Sequence, residues 1–171
     1  MVRPIRYYDE DNVRRFTHGL GFTTGGKFKI GERDDIRFMG TVGRGLGRYL
    51  ALAFLNAAVL DENNELTTIN SLNGFVAYLH YWNDQLMSSF NVSALIADND
   101  ASLTGNNANK SAWSASGNII YKPAAPLLFG VEFMYGYRGL EGGTDGAFFR
   151  IQFSARYNFS FSHNFSTHKN N

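Results

Sequence analysis

Phe148-Phe149-Arg150-Ile151-Gln152-Phe153-Ser154-Ala155-Arg156-Tyr157-Asn158-Phe159 decides the fold. Taken every second residue, Phe149, Ile151, Phe153, Ala155, Tyr157 and Phe159 form one row. Arg150, Gln152, Ser154, Arg156 and Asn158 form the other. A β-strand sends successive side chains to opposite faces, so this stretch has one apolar face and one polar, basic face. Its length, its aromatic ends and its place near the C-terminus point to a lipid-facing strand of a transmembrane barrel.

Working back from that stretch, the alternation recurs. In 127–138, Leu127, Phe129, Val131, Phe133, Tyr135 and Tyr137 share a face, with Gly130, Glu132, Gly136 and Arg138 opposite. In 111–121, Trp113, Ala115, Ile119 and Tyr121 oppose Ser114, Ser116 and Asn118. Residues 72–82 and 85–97 flank Asn83-Asp84, a two-residue hairpin signal. Residues 35–42 and 19–30 alternate as well, the latter with Leu20, Phe22, Phe28 and Ile30 against Lys27 and Lys29. A short strand is expected at 2–8, with Ile5 and Tyr7 on one face and Arg6 on the other. The connections at 31–34, 83–84 and 122–126 are short, whereas those at 9–18, 43–71, 98–110 and 139–146 are longer. Outer-membrane barrels have this asymmetry of short periplasmic turns and long external loops. The expected fold is therefore all-β, an antiparallel transmembrane β-barrel with about eight strands present. Leu52, Leu55, Val59 and Leu60 lie at near-helical spacing, so a short helix over 48–60 is expected in one long external loop.

Composition agrees. In 171 residues there are 15 Phe, 9 Tyr and 18 Gly but only 3 Pro, a balance that favours strands and tight turns over helices. The formal net charge of +1 lacks the basic excess of a nucleic-acid binder. With no cysteine, disulfides, zinc–thiolate sites and a cysteine nucleophile are excluded. No apolar run reaches the roughly 20 residues of a transmembrane helix. The residues after Met1 are Val2-Arg3-Pro4-Ile5-Arg6 and then Tyr7-Tyr8-Asp9-Glu10, not the apolar core of an export signal. An exported protein with that start is expected to be a mature or truncated piece.

Enzyme signatures are missing. His18, His80, His163 and His168 are scattered, and neither an HExxH spacing nor a Gly-x-Ser-x-Gly elbow occurs. Gly43-Arg44-Gly45-Leu46-Gly47 lacks the Lys-Ser/Thr of a phosphate-binding loop and reads as a flexible connection. No enzymatic activity, cofactor or metal is expected. The acid clusters at 9–11 and 61–65 read as solvated loops, with divalent ions beside lipopolysaccharide as the competing reading.

Several segments together resemble the DcaP-like trimeric outer-membrane porins. These are 19–22 (Gly-Leu-Gly-Phe), 26–29 (Gly-Lys-Phe-Lys), 34–38 (Asp-Asp-Ile-Arg-Phe), 43–49, 58–61, 74–82, 130–136 and 150–157. Their order and spacing carry the likeness, which runs from about Gly19 to Phe159. The resemblance implies the C-terminal half of a 16-stranded barrel that passes small anions, dicarboxylates included. It also implies a homotrimer when full-length, location in the Gram-negative outer membrane, and lipid and lipopolysaccharide as neighbours. Residues 1–159 are then the barrel segment and 160–171 a polar tail beyond the terminal aromatic.

On this reading the polar rows face water. Arg6, Lys27, Lys29, Arg37, Arg150 and Arg156 line the lumen or its mouth, Arg138 stands near the external end, and Glu132 is the main lumen acid. A basic lining lowers the entry barrier for anions. The competing account is that these cations pair with Glu132 and with lumen acids supplied by the other half of the barrel. Tyr8, Trp82, Tyr121, Tyr135, Tyr137 and Tyr157 are candidates for the lipid–water boundary. The segment 48–60 either folds into the pore and narrows it or packs at the outer mouth. Two other readings stand beside the porin: a small eight-stranded structural or adhesive barrel without an open pore, and a soluble all-β binding domain.

Overall fold

The computed structural model describes residues 1–8, 12–47, 49 and 54–160. Its strands are β1 (Val2–Tyr8), β2 (Arg14–Ile30), β3 (Asp34–Arg44), β4 (Ala58–Leu60), β5 (Leu66–Thr68), β6 (Asn70–Tyr81), β7 (Leu86–Asp98), β8 (Asn109–Tyr121), β9 (Leu127–Leu140) and β10 (Asp145–Tyr157). Eight of them form one antiparallel sheet in the order β1-β2-β3-β6-β7-β8-β9-β10, and β4 and β5 form a separate two-stranded hairpin. Every neighbour in the large sheet is the next strand in the chain once the insertion carrying β4 and β5 is set aside. The sheet is open: β10 is exposed along its whole length, and no described strand pairs with β10 on its far side. From β3 to β10 the large-sheet strands run 11 to 14 residues, more than the roughly 9–11 a tilted strand needs to cross a bilayer.

Exposure is inverted relative to a soluble sheet. The apolar rows are the exposed ones: Phe22 is 66% exposed, Phe149 65% and Phe153 78%, with Val42, Leu72, Val76, Phe90, Ile96 and Ile119 also exposed. The polar rows hold the buried side chains, among them Asp35, Thr41, Ser71 and Ser116. In water, each large apolar side chain left on that face forgoes roughly 1.5–3 kcal/mol of transfer free energy. In hydrocarbon the same face is at rest, and the sheet's ladders already satisfy the backbone groups that lipid cannot.

The short turns close one end, at 31–33, 82–85 and 122–126, and the longer connections lie at the other. β2 is longer than its alternation suggested. β3 pairs with Leu20–Ile30, whereas β1 pairs with Arg14–Leu20, so the β1–β2 hairpin projects beyond β3 at the long-loop end. Its parity also corrects the expectation for β1. Ile5 and Tyr7 sit in the row of Thr17 and Arg15 on the inner face, and Ile5 is buried; Arg6 is opposite Phe16 in the outward row.

Of the helix expected over 48–60, Tyr49 is helical and residues 54–60 are not. Residues 48 and 50–53, including Leu52, lie outside the described residues. Val59 and Leu60 belong to β4, paired with Thr67 and Leu66 of β5. Asp61 sets that hairpin, because its carboxylate accepts the amides of Asn63 and Glu65, both at 2.9 Å. A short helix, α1 (Ala101–Thr104), stands in the next long loop. Asp100 caps it, taking the hydroxyl and amide of Ser102, bonds that hold its carboxyl below the usual range. The acid cluster at 9–11 and the tail from 161 onward also lie outside the described residues. Strand β10 ends at Tyr157, two residues short of the aromatic end expected at Phe159.

Gly136 and Phe148 face each other across β9 and β10 on the inner face, and the Phe148 ring lies over the glycine where a Cβ would stand. Gly136→Val should therefore cost about 1–3 kcal/mol by overpacking. Adding Phe148→Ala should recover most of the loss. The check is the denaturation midpoint of the folded, heat-modifiable band for the single and double variants.

Candidate inward-facing site

Register fixes which side chains share the inner face. Lys27, Arg37, Ala77, Asn91, Ser116, Met134 and Arg150 are successive partners in one row across β2, β3, β6, β7, β8, β9 and β10. One step nearer the short turns, Lys29, Asp35, Leu79, Ser89, Asn118, Glu132 and Gln152 form the next. The first row places cations at both flanks, and the second places a carboxylate at both flanks.

Each carboxylate takes cations from the neighbouring row. Asp35, only 3% exposed, accepts Arg37 Nε at 2.7 Å and Nη2 at 3.3 Å, and Lys27 Nζ at 2.9 Å. The Arg37 contact is two-pronged, the geometry in which guanidinium and carboxylate bind most strongly. On the far flank Arg150 Nη2 donates to Glu132 at 2.7 Å. Four inter-strand steps, about 19 Å of sheet, separate Asp35 on β3 from Glu132 on β9. Small and neutral groups fill the interval: Ala77, Asn91 and Ser116. Hydroxyls also pair across strands, Thr23 with Thr41 at 3.0 Å and Ser93 with Ser114 at 2.8 Å. A recess of about 120 Å³ beside Glu132 is bounded by Asn118, Gln152 and Ser154.

Of the other residues expected inside, Lys29, Arg138 and Arg156 stand in inward rows, exposed, and make no ion pair with another described residue. Arg3, Arg15, Thr17 and Tyr7 extend the inner face onto the projecting hairpin. Arg6 does not join it: it lies in the outward row, four residues beyond the end of the β3 pairing.

The segment after β3 turns inward. Leu46 is 2% exposed and sits on Gly21 and Gly43, where a Cβ at Gly21 would come within 2.7 Å of it. Arg3 Nη1 donates to the Leu46 carbonyl at 3.1 Å, and its guanidinium lies 5.0 Å from the Tyr49 ring. Further on, Phe54, Leu55 and Ile69 pack with Leu95 and Ala97, two inner-row residues of β7. Asn109 Nδ2 fastens the Phe54 carbonyl at 2.6 Å. Below Phe54 lies a cavity of about 270 Å³ lined by Met39, Asn73, Phe75 and Ser93; above it, a polar recess of about 300 Å³ reaches Asn56, Asn99 and Asn107. The described residues of this segment thus lie across the inner face near the long-loop end.

The aromatic candidates fall at two levels of the outward face. Tyr121 and Tyr157 lie at the short-turn end, with Trp82 in the turn itself. Tyr135 and Tyr137 lie in the upper half of β9, beside Trp113 at ring distances of 5.3 and 6.3 Å, and Tyr137 bonds Asp145. Tyr8 is in the projecting hairpin, above both levels. About eight residues of β9 separate the levels, roughly 26 Å along the strand.

Sequence reading missed Asp34 and Asp35, which it assigned to the turn and to a strand start. Asp34 accepts Tyr78 Oη at 2.6 Å and the Tyr81 amide at 3.0 Å, and contacts His80 Nδ1 at 2.7 Å. His80 meets the Trp82 ring edge-on at 4.4 Å. Asp35 was findable, because an Asp and an Arg two residues apart on an alternating strand share a face. Among the described residues no group of His, Asp and Glu is arranged to hold a metal ion.

The family model described as DcaP outer membrane protein matches residues 3–159. No curated protein matches the chain. Among solved structures, the outer membrane channel DcaP of Acinetobacter baumannii superposes with a TM-score of 0.78 at 20% identity, over 92% of this chain and 51% of that one. The present chain thus spans about half the length of that channel.

Asp35→Asn should release the Lys27 amine. Its acetylation, read by mass spectrometry against Lys29 as internal reference, should run several-fold faster in the variant; an unchanged ratio would mean Asp35 does not hold it.

Proposed function

The chain belongs to the DcaP outer membrane protein family, and on that premise we propose that it forms wall of an outer-membrane porin for small anionic solutes, dicarboxylates among them. One observation carries this reading: the exposed face is apolar, while the sheltered face carries an excess of cations. Arg3, Arg15, Lys27, Lys29, Arg37, Arg138, Arg150 and Arg156 stand in inward rows of the large sheet, against Asp35 and Glu132. Asp35 and Glu132 hold Lys27, Arg37 and Arg150, and Lys29, Arg138 and Arg156 supply the outstanding charge.

An anion entering such a lumen meets a wall of low dielectric, which focuses the field of those cations. Passage needs sites that attract without trapping. The paired cations suit that requirement, because their carboxylates already offset part of the charge and fix the planes of Arg37 and Arg150. A solute carboxylate approaching Arg150 competes with Glu132 and binds weakly. Arg138 toward the long loops, with Lys29 and Arg156 toward the short turns, gives successive contacts along the path. The activity is passive diffusion and requires no bond-making group.

The open sheet supports a larger barrel over a small closed one. Its edges, β10 and the part of β2 below Leu20, are left for further strands. Homotrimeric assembly belongs to the same proposal.

Conductance of the purified protein in planar bilayers under a KCl gradient tests the reading. The reversal potential should lie on the anion side, and Arg138→Gln with Arg156→Gln should lower the anion-to-cation permeability ratio several-fold at similar conductance. A reversal potential indifferent to both substitutions would remove these side chains from the selectivity, and folded protein without channels would remove the pore.

A further inference from the structure

The outward face is not uniform above its apolar belt. Leu20, Arg44, Asn70 and Asp98 form its uppermost shared row, and beyond it the β1–β2 hairpin continues with Phe16 beside Arg6 and Arg14 beside Tyr8. Arg44, Arg6 and Arg14 are thus three exposed cations on the outward side of one flank; none is in an ion pair with another described residue, and Arg14 lies over the Phe16 ring at 5.9 Å. Asp98, the acid of this level, is bonded by Asn70 Nδ2 at 3.3 Å.

Directly beneath lies a groove. Thr24, Gly40, Gly74 and Ala94 make one hydrogen-bonded row of small residues across β2, β3, β6 and β7. The rows on either side are bulky: Val42, Leu72 and Ile96 above, Phe38, Val76 and Val92 below. The trough they enclose has a volume of about 490 Å³ and continues, past Leu72 and Ile96, into a second recess of about 470 Å³ that ends at Arg44, Asn70 and Asp98.

We propose that this flank is a binding site for lipopolysaccharide, its acyl chains lying in the groove and its phosphates meeting Arg44, Arg14 and Arg6. The inference rests on the reading of the outward face as membrane-embedded. Charge and height select the occupant. Arg44 caps the apolar trough as a phosphate partner would. Arg6 and Arg14 stand four and six residues above Leu20, roughly 13 and 20 Å along the strand. A single phospholipid headgroup does not span that height, whereas a phosphorylated saccharide headgroup does. Beyond Tyr8 the sequence turns acidic, with Asp9, Glu10 and Asp11.

The test is native mass spectrometry of the full chain released from liposomes that contain lipopolysaccharide, its dephosphorylated form, or phosphatidylglycerol alone. Flotation establishes insertion beforehand. Retained lipopolysaccharide is expected, falling about tenfold in the Arg6→Gln, Arg14→Gln, Arg44→Gln variant and about tenfold with the dephosphorylated lipid. Gly40→Leu should reduce retention too, since a side chain there enters open space in the groove and no backbone. Lys122→Gln, in a short turn at the opposite end, should leave it unchanged. Equal retention by the arginine variant, or preference for phosphatidylglycerol, would overturn the site while leaving the channel reading intact. So would a change in oligomer mass, with retention unchanged, on Gly40→Leu, because a second copy would then fill the groove. Failure to float in any liposome would overturn both.

Discussion

Parity is the constraint on which everything else depends. Side chains alternate with a period of two, so each inter-strand register decides at once which rows face in and which face out, and a slip of one residue exchanges them. Six registers must agree for Lys27 and Arg150 to end up on the same face. The dangerous junction is β3 to β6, where 25 residues intervene. The Gly45 amide bonds the Ile69 carbonyl at 2.9 Å across the base of that insertion, and Leu46 seats on Gly21 and Gly43, so the chain re-enters the sheet in phase. One irregularity does occur, at Asn109 and Ser111, with Lys110 as the extra residue. It lies at the long-loop end of β8, where it turns Lys110 toward Glu141 at 3.5 Å and leaves the rows below untouched.

Given that parity, the electrostatics follow from burial. A carboxylate on the sheltered face is costly unless it is bonded, and Asp35 answers with two cations at once. A surplus of positive charge remains, and it is distributed along the face.

Much of this was legible in the sequence. Alternation with aromatic ends located the long strands, and Asn83-Asp84 marked its turn. What failed did so for specific reasons. β1 was assigned by hydrophobic content, yet Ile5 and Tyr7 face inward because their partners on β2 set the parity, and Ile5 lies against Gly45 at the start of the insertion behind β3. The first third of β2 was hidden because Arg14, Phe16 and His18 do not look like one apolar row; they project past β3 and need not. Val59 and Leu60 matched a helical period with Leu52 and Leu55, but a four-point spacing says nothing about the turn that follows, and Asp61 decides for a hairpin. The salt-bridged clusters depended on register across several strands, which no single stretch contains.

The inward segment has a consequence for the order of events during folding. Leu46 rests on β2 and β3, but Phe54 and Leu55 rest on Leu95 and Ala97, which arrive some forty residues later and only once β7 has joined the sheet. Its far half has no surface to dock on until then. A loop encoded in the first third of the chain is therefore completed after the sheet it crosses, and its far half docks only once the strands beneath it are in place.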